Sequence, residues 1–403
     1  MKTKVIDSSS IFNNLMNNLI VIHDPRVKNR CEHLLVDVMI IGVCSVLCGA
    51  ESWEEIGEFA KQRQEWFEKY LELPNGVPSH DTIARVFSLI DAAEFERVFT
   101  DWATSLVPGA RLKRFSMDGK TVKGTYGKFN DGTRPLHLVS IFSTESGLVL
   151  GQSSASSSGM GESGAALRCL EMIDIKGALV SVDAGLSTKR ISNSVIEKGA
   201  DYIFPIKRNC RGAFEELENF SWDKRSDVIG RASTKEISHG RQEERKCVAV
   251  AAAIFSESLT STWRDVKTVM RIIRTRKTKD RRYFIQSKGD DGSIRYQKND
   301  GGDWKTTKET TYYISSAELP AEAALVEIRD HWLIENKLHW GLDVTFREDQ
   351  WRVRAKKAAQ TLALVRKFAF NILANNKDKG SKKIKMKRAS WNPEYLEKLI
   401  AGI

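Results

Sequence analysis

Phe115-Ser116-Met117-Asp118-Gly119-Lys120 sets the fold class of this chain. It reads as a strand that ends on a carboxylate and opens onto a glycine turn. The arrangement recurs downstream, where the apolar strand Ala178 to Val182 runs into Asp183-Ala184-Gly185. Leu136 to Thr144 and Leu148 to Ser153 read as two further strands, and a helix is expected at about 162–174. Beyond Asp183 the pattern predicts a helix at about 187–198 and a strand from Tyr202 to Ile206. Three strands followed by alternating helix and strand predict an α/β fold, a mixed sheet covered by helices.

A carboxylate at the carboxyl end of a strand lies where open α/β sheets put their ligands. Asp118 or Asp183 alone would be an ordinary turn or cap residue. Two at matching places in one sheet form a hard, oxygen-rich site suited to Mg²⁺ or Mn²⁺. A third carboxylate is available on a helix expected at about 320–341, where His331, Glu335 and His339 recur every four residues and share one face. Trp332 and Trp340 flank that face.

Working outward, residues 1–110 read as helical. His33 to Gly49 is an apolar run, Ser52 with Glu55 makes a capping box, Ser79 caps a helix over Ile83 to Ile90, and a fourth helix covers about 92–106. Short helices joined by tight turns fit a small DNA-binding domain or a plain docking domain. Residues 228–316 return to strand character and read as a β-rich insertion in the α/β domain. Residues 376–403 form a basic tail, with seven cations from Lys377 to Arg388 against Asp378, and read as mobile.

The 403 residues are 41% hydrophobic, enough for a real core, and this argues against general disorder. Lys and Arg number 63 against 52 Asp and Glu, a formal charge of +11 that points to a polyanionic partner. Met1-Lys2-Thr3-Lys4 leads into polar residues rather than a secretory apolar segment, and the longest apolar stretch, Leu34 to Ala50, contains Asp37. A cytoplasmic protein without a membrane span is expected. The six cysteines are scattered and read as reduced packing residues.

These motifs carry a resemblance. Met117-Asp-Gly-Lys-Thr-Val-Lys-Gly124, Leu136-His-Leu-Val-Ser140, Val182-Asp-Ala184 and Asn75-Gly-Val-Pro-Ser-His-Asp-Thr82 stand in order along the chain. The most specific piece is His331-Trp-Leu-Ile-Glu-Asn-Lys-Leu-His-Trp-Gly-Leu-Asp-Val344, continuing Phe346-Arg-Glu-Asp349. Over about 20–375 the chain resembles insertion-sequence DDE transposases of the H-repeat-associated group. The resemblance implies a ribonuclease-H-like fold with helices on both faces of the sheet. It also implies an N-terminal associated domain at 1–110, a catalytic domain at 111–375, and metal-dependent DNA strand cleavage and transfer. By motif match the catalytic and metal-holding triad falls on Asp118, Asp183 and Glu335, with Mg²⁺ as the metal and Mn²⁺ as its substitute. The implied partners are double-stranded DNA at the element's ends and at the target, bound by a homo-oligomer. Lys207, Arg241, Lys337, Arg347, Arg352 and Arg354 lie in matched motifs or beside the acidic face and are candidate DNA contacts.

The chain departs from its relatives around Glu335, where Ile328, His331 and Leu342 replace the broader superfamily's Tyr, Arg and Lys, in a longer segment 288–308, and in two runs near the acids. Of their Lys-Ser-Asn-Glu run only the final residue is kept, in Gly159-Met-Gly-Glu162. Asp183 continues as Ala184-Gly-Leu-Ser-Thr188 rather than Ala-Met-Gly-Cys-Gln. Two rival readings are a zinc hydrolase built on His331, Glu335 and His339, and a domesticated or decayed transposase that only binds DNA. Asp343 and Glu348 are the reserve candidates for the third acid.

Overall fold

The computed structural model describes residues 11–107, 113–126, 135–155, 161–224, 226, 228–238, 240–279, 284–288, 293–298, 304–353 and 355–402. Chain contacts divide them into two units, residues 1–200 with 330–403, and residues 201–329.

The first unit opens with six helices: α1 (Ile11–Leu19), α2 (Leu35–Leu47), α3 (Trp53–Gln62), α4 (Gln64–Phe67), α5 (His80–Leu89) and α6 (Ala92–Ser105). Their starts follow side-chain chemistry. Ser52 Oγ accepts from Glu55 N at 3.1 Å, Ser79 Oγ from Thr82 N at 3.2 Å, and Asp91 Oδ1 from Glu94 N at 2.8 Å. Glu55 reaches back to Glu51 N rather than to the cap residue itself, so the predicted capping box closes one residue early.

Strands β1 (Arg114–Val122), β2 (Leu136–Ser143), β3 (Val149–Ser154) and β4 (Leu179–Val182) follow, with helix α7 (Gly161–Glu171) between β3 and β4 and α8 (Lys189–Glu197) after β4. Their order across the sheet is β3-β2-β1-β4. β1 pairs antiparallel with β2, β2 antiparallel with β3, and β1 parallel with β4. Three antiparallel strands joined through a helix to a parallel fourth make the ribonuclease-H-like arrangement. Asp118 does not end its strand as expected. β1 continues to Val122 because its ladder with β2 runs from Phe115↔Ser143 to Val122↔Leu136, and only the parallel partner stops at Val182.

The second unit holds β5 (Asp201–Ile206), α9 (Arg211–Asn219), β6 (Gly230–Ser238), β7 (Arg241–Ala251), α10 (Glu257–Thr262), β8 (Thr268–Lys279), β9 (Phe284–Lys288), β10 (Ile294–Lys298) and β11 (Trp304–Ser315). Its sheet runs β5-β11-β8-β7-β6, antiparallel throughout, and β9 pairs with β10 alone. Trp222 packs on Tyr312 and on Phe255 in an aromatic core.

The helix predicted at about 320–341 is broken. α11 (Ala321–His331) gives way to a π-helix at Ile334–His339, followed by α12 (Trp340–Val344). The wider turn keeps Ile334 and Leu338 buried while Glu335 is exposed. α13 (Lys356–Asn375), which packs against α2, α5, α6 and β3, forms the spine of the first unit. Phe368 meets Trp102 at 4.7 Å and Phe99 at 4.9 Å between ring centroids. Asn371 donates to Val149 O at 2.7 Å and accepts from Val149 N at 2.9 Å, which satisfies the outer edge of β3.

The expected mobile tail is instead folded at 382–401. α14 (Lys382–Trp391) and α15 (Pro393–Ala401) bury Met386, Ala389, Leu396, Leu399 and Ile400. The apolar residues were few but correctly spaced to reach α13 and α1. Cys44, Cys48, Cys169 and Cys247 are buried free thiols, and Cys31 and Cys210 are half-buried free thiols. Among the described residues no helix is long and apolar enough to cross a membrane.

Candidate active site

The parallel ladder of β1 and β4 ends at Met117↔Val182, and Asp118 and Asp183 are the residues that directly follow that pair. Each carboxylate is aimed by a nearby amide. Asp118 Oδ1 accepts from Gly119 N at 2.9 Å, and Asp183 Oδ1 accepts from Leu186 N at 2.9 Å. Asp118 is only 9% exposed. Burial, followed by the negative charge of Asp183, pushes its carboxyl up to about 7, and Glu335 and Glu162 add to the effect. Glu335, on the π-helix, is likewise raised, first by burial and then by Asp183.

Glu162 is a site residue for which the sequence reading found no role. It begins α7 and its Oε1 lies 2.9 Å from His137 Nε2. His137 Nδ1 lies 2.9 Å from Thr121 Oγ1, its cross-strand partner on β1. The hydrogen bond to Glu162 raises the imidazole's pKa. The glycine after Asp118 has a steric reason here, whereas a Cβ at Gly185 would meet only near-ordinary contacts. A Cβ on Gly119 would sit 1.8 Å from Glu162 Oε1, and one on Gly185 would lie 3.3 Å from Asp183 Oδ2 and 3.5 Å from Glu162 Oε2. The signal in the sequence was that Glu162 alone survived from the relatives' four-residue run.

The donor set fits a hard divalent cation. It is all oxygen, and the mutual repulsion that lifts Asp118 is what such an ion relieves. Among the described residues no three His, Cys, Asp or Glu side chains are already drawn together tightly enough to hold one ion.

The two histidines of the zinc reading turn to different strands. His331 Nδ1 lies 3.0 Å from Ser181 Oγ on β4, and His339 Nδ1 lies 3.4 Å from Asp118 Oδ2 on β1. Burial lowers both imidazoles to about 4, so each is neutral at pH 7.

A buried charge network stands two residues along β1 from Asp118. Lys120 Nζ meets Glu348 Oε2 at 2.7 Å, Asp343 Oδ1 at 2.8 Å and Asp349 Oδ1 at 3.4 Å. Arg366 lies 3.7 Å from Glu348 Oε1, with its guanidinium 4.5 Å over the Trp351 ring. The segment after the π-helix is thereby clamped to β1, and the reserve acids Asp343 and Glu348 are committed to Lys120.

Of the candidate DNA contacts, Lys207, Arg241, Lys337, Arg347 and Arg352 are all exposed. Arg347 is tied to Glu51 Oε2 at 2.9 Å and Arg241 to Glu243 Oε2 at 3.7 Å. Arg354 lies outside the described residues.

The sheet order and pairing, with Asp118 and Asp183 directly after the last pair of the parallel β1–β4 ladder, put the protein in the ribonuclease-H-like class. Residues 99–372 match the family described as "Transposase DDE domain", and residues 16–103 match the one described as "DDE_Tnp_1-associated". The chain belongs to the DDE transposase family. It is 35% identical to "Putative transposase YncI" of Escherichia coli O157:H7, over 96% of this chain and 94% of that one. It is 33% identical to "H repeat-associated putative transposase YhhI" of Escherichia coli (strain K12), over 96% of this chain and 98% of that one. A solved piggyBac transposase synaptic complex with hairpin DNA is a distant likeness, with TM-score 0.42 at 9% identity over 98% of this chain and 82% of that one.

Proposed function

We propose that the chain cuts and joins the DNA of an insertion sequence, using a divalent metal held by Asp118, Asp183 and Glu335. The observation that carries the reading is the register of β1 and β4, which sets Asp118 and Asp183 side by side after Met117↔Val182. When bound, Mg²⁺, or Mn²⁺ in its place, neutralises the phosphodiester and activates the attacking oxygen. The chain's own part is positioning. Asp118, Asp183 and Glu335 would hold the metal. The amides of Gly119 and Leu186 fix the two aspartates, and His137 holds Glu162 beside them. Water attacks first and frees a 3′-OH at the element's end. That 3′-OH then attacks target DNA in line, with no covalent bond to the protein.

The partners in this reading are double-stranded element ends and target DNA, bound by a homo-oligomer. Residues 1–110 help to hold the ends, 111–375 carry the chemistry with the β-rich insertion at 228–316, and 376–403 add basic charge.

Asp118→Asn, Asp183→Asn and Glu335→Gln test the reading, since an amide keeps the shape and loses the metal ligand. Each variant is expected to abolish Mn²⁺-dependent nicking of DNA carrying the element's ends and to retain most DNA binding. Full cleavage by any one of them removes that residue from the triad. A DNA-binding protein without catalysis is the second reading, favoured by the altered runs Gly159-Met-Gly-Glu162 and Asp183-Ala-Gly-Leu-Ser-Thr188. Binding of DNA by the unaltered chain with no nicking in Mg²⁺ or Mn²⁺ decides for it.

A further inference from the structure

The antiparallel sheet of the second unit has two chemically different faces. Side chains alternate across a strand, and directly opposed residues share a face. The rows Gln242↔Lys277↔Thr306, Glu244↔Thr275↔Lys308 and Lys279↔Trp304 therefore point one way, and β6 adds Lys235 opposite Glu244. The rows Glu243↔Arg276↔Thr307 and Arg245↔Arg274↔Glu309 point the other way.

The arginines of this face are internally neutralised, whereas Lys305, in the row Arg241↔Thr278↔Lys305, is exposed. Glu243 Oε2 lies 3.3 Å from Arg276 Nε and 3.7 Å from Arg241 Nε, and Glu243 also pairs with Arg245. Glu309 Oε2 lies 2.5 Å from Arg274 Nη2, and Glu236 accepts from Arg329 at 2.5 Å through both oxygens. A phosphate arriving there must displace a carboxylate from a guanidinium fork.

The lysine face is different. Glu244 is the single carboxylate among the described residues of these rows, shared between Lys235 at 3.6 Å and Lys246 at 3.7 Å. Lys277, Lys279 and Lys308 are exposed, and among the described residues none has an ion-pair partner. Lys277 and Lys308 are diagonal neighbours, roughly 7–8 Å apart at their backbones. Lys277 and Lys279 are two residues apart on one strand, roughly 6.8 Å. Separate, fully hydrated ammonium groups at that spacing can each meet a different phosphate, with Asp223 attracting one of them, Lys308.

We propose that the face bearing Lys277, Lys279 and Lys308 is a sequence-independent docking surface for the phosphate backbone of duplex DNA, and that the arginine face behind it is structural. This rests on the reading of the chain as a DNA-processing protein and adds the surface it uses. Contact with phosphates alone positions a duplex without reading bases. Arg241, on the neutralised face, then contributes little to DNA affinity.

Two charge-matched double variants of the full chain test this, with a 30-base-pair duplex of arbitrary sequence as the probe and binding measured at several salt concentrations. Lys277→Gln with Lys279→Gln is expected to lower the slope of log K against log salt by about 1.8, from about 0.9 per phosphate contact. Arg274→Gln with Arg276→Gln, both paired with carboxylates on the opposite face, is expected to leave the slope near that of the unaltered chain. Thermal melting of both checks that the fold is kept. If the unaltered chain binds and the two doubles behave alike, the lysine face is wrong and the DNA reading stands. If the unaltered chain does not bind the duplex at low salt, the DNA reading and this surface both fall.

Discussion

Lys120 Nζ lies 2.7 Å from Glu348 Oε2 in the interior, two residues along β1 from Asp118. Burial alone would push the Glu348 carboxyl up, but Lys120, Arg366 and Lys367 outweigh it and hold the group at about 2. The pair fastens the chain that follows Glu335 to the strand that carries Asp118. Breaking such a buried pair from one side leaves an unpaired charge, at a cost of about 3–5 kcal/mol. Lys120→Met is therefore expected to destabilise the protein by about that much in denaturant unfolding. Adding Glu348→Gln should return a large part of the loss. A Lys120→Met protein as stable as the parent would mean that the pair contributes nothing.

The same pair predicts acid sensitivity. Glu348 ionises at about 2 in the folded protein, below the 4.5 of an ordinary glutamate. Its contribution is thus fully present above about 4.5 and is lost as the pH falls toward 2. Urea midpoints measured across that range should fall more steeply for the parent than for the Lys120→Met, Glu348→Gln double variant.

Asp118 has the opposite sign. Its folded pKa is raised from 3.8 to about 7, so without metal the ionised carboxylate works against folding as the pH rises through that window. Asp118→Asn removes the repulsion. In metal-free buffer at pH 8 it is expected to be more stable than the parent, on the order of 1–2 kcal/mol, while losing cleavage. Added Mn²⁺ should raise the melting temperature of the parent and not that of the variant. An unchanged or lower metal-free stability would show that the carboxylates do not repel as described.

The strands and the aspartate pair could be read in the sequence because the signal is local. An apolar run that meets Asp118-Gly119 or Asp183-Ala184-Gly185 carries its own meaning. Capping by Ser52 and Ser79 is local in the same way. The π-turn at Glu335 could not be read, since spacing by four fits an ordinary helix as well. Nor could the Lys120 network, whose partners Asp343, Glu348 and Asp349 lie more than two hundred residues away in the chain. The helices at 382–401 did leave marks, in the caps Ser381 and Asn392, Pro393 in the first turn and Gly402 at the end, but the lysine density hid them.

Gly119 tests the place of Glu162. An alanine methyl there would lie 1.8 Å from Glu162 Oε1 and 2.7 Å from His137 Nε2, so Gly119→Ala must push the Glu162 carboxylate aside. Cleavage is expected to fall at least tenfold, together with a smaller Mn²⁺-induced rise in melting temperature. Glu162→Gln should produce the same two changes, and the double variant should be no worse than either single one. Additive losses would mean that the methyl acts on the backbone of β1 and not through Glu162.

The C-terminal helices change what removal of the basic segment would do. Met386, Leu396, Leu399 and Ile400 are buried, and Lys385 Nζ donates to Asn376 O at 2.6 Å and to Leu373 O at 3.4 Å, closing the carboxyl end of α13. Each buried apolar side chain is worth about 1.5–3 kcal/mol, so deleting 377–403 should cost several kcal/mol and weaken the fold rather than only the charge. The charge is tested separately. Lys383 and Lys387 are exposed and one turn apart on α14. Changing both to Gln is expected to leave the melting temperature within about two degrees, since surface changes fall within ±0.5 kcal/mol. If they meet phosphates, the slope of log K against log salt falls by about 1.8 for specific and scrambled DNA ends alike. A loss confined to the specific ends would show that α14 reads bases, and an unchanged slope would take the helix out of the DNA contact altogether.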